Sequence, residues 1–178
     1  MSAANGFISK RALLAATAGL ALAAPMMANA LDLRLVIPNV SSEKAPIPIV
    51  SWSWGGSNSS TQVGGAGTGQ GKISLSDVTV QHVFDGFSPA LFKSLVLGQA
   101  YPKVSLIVYS SSVAGGRPQK LFTIELSNAM LSSAQSAGSV DDSRPTENFS
   151  FNFAQIRYFS PNSADATFCY DVSAATTC

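Results

Sequence analysis

Residues 145–156 read PTENFSFNFAQI, and their rhythm decides the fold. Phe149, Phe151 and Phe153 stand two apart, with Ser150, Asn152 and Ala154 between or beside them. On an extended chain, side chains two apart share a face, so this is a strand with one apolar face and one small or polar face. Ile156 and Tyr158 continue the apolar set on the other parity, which predicts a β-bulge near Ala154 and Gln155.

The same period-two pattern spreads outward in both halves of the chain. Phe122, Ile124 and Leu126 share one face of residues 121–130, and Val104, Leu106 and Val108 one face of 103–109. Leu31, Leu33, Leu35 and Ile37 alternate with Asp32, Arg34 and Val36 in a first strand that Pro38-Asn39 ends. Residues 47–54 (IPIVSWSW) give a second strand, with Pro48 near its start. Residues 72–84 (KISLSDVTVQHVF) switch from Ile73 and Leu75 to Val78 and Val80, which predicts a bulge near Asp77.

One helix interrupts the strands. Ser88 suits the N-cap, Pro89 the first helical position and Gly98 the stop. Leu91, Phe92 and Leu95 would face the core, with Lys93 and Ser94 outward. Residues 55–71 carry no charge and are mostly Gly, Ser and Thr, which reads as a long mobile loop. The expected fold is mainly β: a small β-barrel of about six or more antiparallel strands with one short flanking α-helix.

The N-terminus speaks to the compartment. Lys10 and Arg11 precede the uncharged run ALLAATAGLALAA at residues 12–24, and Ala28 and Ala30 flank Asn29 as an A-x-A cleavage site. That order is a secretory signal peptide, so the protein is expected to be periplasmic or secreted. The apolar run is too short to span a hydrocarbon core about 30 Å thick. A single arginine at this point favours the general secretory route over a twin-arginine signal. No later segment approaches the roughly 18 apolar residues of a membrane span. The expected layout is a signal peptide at 1–30, one β domain at 31–160 and a tail at 161–178.

Cleavage after Ala30 would remove Lys10 and Arg11 and turn a formal charge of +1 into about −1. Nucleic-acid binding would call for a clearly basic domain. Two cysteines, Cys169 and Cys178, lie in the last ten residues. In an oxidising compartment such a pair usually closes on itself; a link between two chains is the alternative. Two thiols and one distant histidine cannot fill a tetrahedral metal shell, and no cofactor is expected.

In order and spacing, several motifs resemble the Hcp family, the tube subunit of type VI secretion systems. They are Ser51-Trp52-Ser53-Trp54-Gly55, Gly71-Lys72-Ile73, and Phe84-Asp85-Gly86-Phe87-Ser88-Pro89 with its helix to Leu97-Gly98. Downstream come FTIELSNA at 122–129 and the opening run PTENFSFNFAQI at 145–156. The resemblance covers about residues 31–160. It implies a compact β-barrel with one flanking helix, a non-enzymatic structural role and self-assembly into hexameric rings. It also implies stacking of rings into an expelled tube, with secretion-system components or small protein cargo as partners.

Ala66, Gly71 and Lys72 stand at phosphate-loop spacing, but Ile73 follows where a hydroxyl should hold magnesium, and the loop opens a strand instead of a helix. His82 is the only histidine; strand alternation would set it and Asp85 on opposite faces, and no Gly-x-Ser-x-Gly elbow is present. Glu125 and Glu147 are conceivable as a hydrolytic acid pair, but read more simply as solvent-facing partners of Lys or Arg. Asp141-Asp142 lacks calcium-loop spacing. Trp52 and Trp54 share a face and form either an interface or a ligand platform for a glycan or protein, the basis of an alternative binding-module reading. Asn39, Asn58 and Asn148 begin N-x-S sequons, which matter only in a glycosylating host.

Overall fold

The computed structural model describes residues 31–59, 71–110, 118–161 and 167–178. Within them lie twelve strands and one helix. The strands are β1 (Leu31–Val36), β2 (Ile47–Ile49), β3 (Ser51–Ser53), β4 (Gly56–Asn58), β5 (Ile73–Leu75), β6 (Val78–Val83), β7 (Ala100–Ser110), β8 (Gln119–Ala137), β9 (Thr146–Asn152), β10 (Gln155–Phe159), β11 (Thr167–Asp171) and β12 (Thr176–Thr177). The helix α1 is Ser88–Val96. The signal-peptide residues, with Ala28 and Ala30, lie outside the described residues.

Every ladder is antiparallel, and ten strands join one branched sheet while β4 and β5 make a separate hairpin. The long strand β8 is its axis. One edge of β8 pairs β7. The other pairs β10 over Thr123–Ser127 and β9 over Met130–Ala137. Residues 146–159 thus run as one interrupted strand along β8, broken at Phe153-Ala154, where the change of parity was expected. On their far side, β6 covers β9 and β11 covers β10.

The core follows the alternation. Phe149 and Phe151 are fully buried, as are Ile124, Val108, Ile156 and Ile37. Leu126 and Ala129 are both buried although three apart, because Asn128 takes φ 49°, a left-handed conformation that asparagine tolerates, and resets the pleat. Opposite it, buried Tyr101 and Val104 stand on either side of the exposed pair Pro102-Lys103, so β7 and β8 change phase together.

The structure differs from the expected strands in several places. Residues 72–84 hold two strands, β5 and β6, separated by Ser76-Asp77 and paired in different sheets, so the parity switch is a strand break and not a bulge. Residues 47–54 likewise divide at Val50: β2 pairs β1, while β3 pairs β6. The segment 55–71 carries strand β4 in its described part; residues 60–70 lie outside the described residues. In the C-terminal segment, the described residues 167–178 carry β11 and β12, which extend the main sheet. The named ladders trace a branched sheet and not a closed barrel.

Helix α1 also corrects the cap. Phe87 is the N-cap and makes no side-chain cap bond. Asp85 does the work from upstream: its Oδ1 accepts the Phe87 N–H at 2.7 Å, while Ser88 Oγ accepts the Asp85 N–H at 3.1 Å. Ser94 is buried, not outward; it accepts the Tyr101 hydroxyl and donates to the Ala90 carbonyl. The stop is as expected: Gly98 has φ +59° and its N–H reaches Leu95 O at 3.0 Å. A Cβ on Gly98 would meet nothing within 4 Å, so Gly98→Ala costs only backbone strain. The expected loss is about 1 kcal/mol, read as a shift of the urea midpoint at unchanged slope.

Candidate functional site

The sheet brings the sequence candidates to several separate places. His82, on β6, is buried to 1% exposure, with Nδ1 2.9 Å from the Pro48 carbonyl and Nε2 3.0 Å from Asp85 Oδ1. Alternation would have kept His82 and Asp85 apart, but β6 ends at Val83 and the chain turns back at once. Asp-Gly at 85–86 was the sequence signal for that turn. The imidazole ties β2 to the entrance of α1. Directly across the ladder stands Glu147, also buried, with Oε2 unpartnered.

That arrangement is not a hydrolytic pair. Glu125 lies on the outer face of β8, bonded to Lys103 Nζ at 3.2 Å and opposite Arg157 in register. Glu147 lies on the inner face of β9, beside Phe149. The two carboxylates point from opposite sides of the sheet. Glu125 keeps its lysine partner as expected; Glu147 does not face solvent. Burial selects its side of the strand, since the parity of Phe149 and Phe151 carries it inward.

Trp52 and Trp54 are half-buried and packed against the core. Trp52 sits opposite Val80 and meets Phe122 edge to face at 5.7 Å, and Phe122 in turn meets Tyr158 at 5.1 Å. Arg34 lies 4.5 Å over Tyr109; its side-chain hydrogen bond to Asp32 raises its pKa further and keeps it a fixed cation. Asp142 closes a local turn on the Ser139 N–H at 2.8 Å. Cys169 and Cys178 are bonded to each other, with Cα atoms 5.2 Å apart. A cleft of about 740 Å³ opens between the β4–β5 hairpin and the C-terminal strands, lined by Lys72, Ile73, Leu75, Tyr170, Val172 and Thr176 among others. Among the described residues, no group of three or more His, Cys, Asp or Glu could hold a metal, and no helix is long and apolar enough to cross a membrane.

This geometry is one of walls and edges, and comparison with known proteins says whose. The family described as "Type VI secretion system effector, Hcp" matches residues 39–159, more than half of the chain. The chain belongs to the Hcp family. Protein hcp1 of Pseudomonas aeruginosa is 38% identical over 144 residues, covering 76% of this chain and 87% of that protein. Among solved structures, Hcp1 from Salmonella typhimurium aligns with a TM-score of 0.68 at 22% identity, over 84% of this chain and 99% of that one. A type VI secretion system effector from Yersinia pestis aligns at 0.60 and 21%, over 79% and 100%. At such identities the structural likeness speaks for the fold alone. Within this Hcp protein, the motif FDGFSP at 84–89 and the run PTENFSFNF at 145–153 are the pieces that His82, Asp85, Glu147 and Phe149 knit together.

Proposed function

We propose that this chain is an exported, non-enzymatic Hcp subunit that assembles with copies of itself into a hexameric ring, built to stack as a tube. Membership of the Hcp family over residues 39–159 carries the reading. The surface supports it. Val96 and Leu97 at the end of α1 are 83% and 65% exposed, and Phe84 at its entrance is 46% exposed, apolar side chains at both ends of the helix of the kind subunit contacts cover. The chain passes from β2 to β3 through one residue, Val50, whose N–H reaches Gln81 O at 2.8 Å. We therefore read the wall as barrel-like, with the sheet's two branches brought together by consecutive residues. Cyclic closure of such copies limits assembly to a ring.

Residues 1–30 act as the signal peptide in this reading, cut between Ala30 and Leu31, and the mature protein works in the periplasm or outside the cell. Its partners are other copies, secretion-system components and small protein cargo held in the ring. Trp52 and Trp54 serve packing and the subunit contact; their half-buried state leaves little open ring face for a glycan. Light scattering on mature protein at tens of micromolar tests the assembly. Six protomer masses are expected, and a sharp monomer overturns the reading. Intact mass of the exported protein, expected to begin at Leu31, tests the cleavage.

A further inference from the structure

The C-terminal hairpin occupies a place in the sheet that its own side chains hardly explain. Strand β11 covers the outer edge of β10 in five consecutive register pairs, from Gln155 with Asp171 to Phe159 with Thr167. The Val172 N–H adds a bond to the Ala154 carbonyl at 2.8 Å. Yet Thr167 and residues 172–178 are exposed, Phe168 is 40% exposed, and of β11 only Tyr170 packs against the core. The hairpin is held by backbone bonds to β10 far more than by burial. Two-stranded hairpins with so little buried face are marginal alone. Here the disulfide closes it: Cys169, in the middle of β11, is bonded to Cys178, beyond β12.

What the hairpin covers would otherwise be an exposed edge. Residues 155–159, QIRYF, contain no glycine or proline, two of the five are aromatic, and the single charge, Arg157, stands opposite Glu125 of β8. An uncovered edge of that composition is a template for another strand. With the hairpin seated, β12 pairs Tyr170 and Asp171 of β11, and the edge left open is the short start of β11 beside a strand of two residues, lengths that blunt edge-to-edge pairing. We propose that the outer edge of β10 is a self-association surface that takes a strand from a second copy of this chain, and that the hairpin stapled by Cys169–Cys178 is its built-in cover. A second copy is the fitting partner because every copy carries β11, the strand already shown to fit this edge in register. The exchange of an identical element between copies needs no new complementarity. The proposal goes beyond the ring and does not rest on it, since β11 covers β10 within the single chain.

The test compares full-length mature protein, oxidised, with the C169S/C178S variant. Two readouts are used: weight-average mass by light scattering across concentration, and amide exchange at residues 155–159. Loss of the staple is expected to speed exchange at 155–159 in dilute protein. At tens of micromolar it is expected to raise the mass at least about twofold over the oxidised protein, with protection at 155–159 restored. Wild-type protein treated with a dithiol reductant should behave like the variant, and it stands in if the variant fails to fold. Unchanged mass and unchanged protection overturn the proposal, because the hairpin then holds without its staple. Faster exchange with no gain in mass also overturns it, because the freed edge then has no affinity for another copy. If the oxidised wild type is itself a monomer, the ring reading fails, while the comparison between oxidised and unstapled protein still decides this one.

Discussion

Phe149→Ala is expected to lower the unfolding free energy by about 3–5 kcal/mol, the range for deleting a buried aromatic ring. Phe149 is fully buried at the centre of β9 and faces two elements at once. Phe92 of α1 meets it edge to face at 5.4 Å, and the His82 ring lies 6.4 Å away. Truncation therefore removes the seat of the helix as well as apolar area. Stability of a domain this size is typically about 5–15 kcal/mol, so the variant should sit near the edge of folding at 37 °C. Urea unfolding followed by far-ultraviolet dichroism measures it. A loss under about 1 kcal/mol would show that the helix does not depend on this ring. Phe149→Leu, which keeps most of the apolar contact, should recover much of the loss.

The second large effect falls on a polar residue. His82→Ala is expected to cost roughly 2–4 kcal/mol, because it leaves the Pro48 carbonyl and one bond of the Asp85 carboxylate unanswered and opens a small cavity. Its imidazole joins the end of β6 and the turn into α1, which follow one another, to β2, which lies 34 residues away in sequence. Asp85→Asn is a graded control. Its amide oxygen can still accept the Phe87 N–H, now 2.7 Å away from Oδ1, so only the link to His82 weakens. The expected order of stability is wild type, then Asp85→Asn, then His82→Ala. If Asp85→Asn equals or exceeds His82→Ala in cost, the turn and not the imidazole bridge is what holds this corner.

How much of this could be read in advance depends on the distance over which each cause acts. Alternation is local, and it grouped Phe149 with Phe151, Ile124 with Leu126, and Val104 with Leu106 onto shared faces, which the structure buries. The glycine after α1 is local too, and Gly98 adopts the positive φ expected of it. Ser88 failed as a cap because Asp85, three residues earlier, had already supplied the acceptor; the two residue types compete for the same task. The His82–Asp85 contact failed because alternation was extended past the residue where the strand stops. The turn residues Asp85-Gly86 were the local signal for that stop, and the partner strand that ends alongside completes it.

By itself the sequence determined the mainly β character, the inward face of most strands, the helix and its stop, the pairing preference of the two cysteines and the family. These are properties of neighbouring residues, or of motif order along one chain. Only the tertiary structure decided that residues 47–54 split between two partners at Val50, that Glu147 is buried opposite His82, and that the last twelve residues cover the edge of β10. Each of those is a choice among strand partners far apart in the chain, fixed by burial and backbone pairing across the whole sheet.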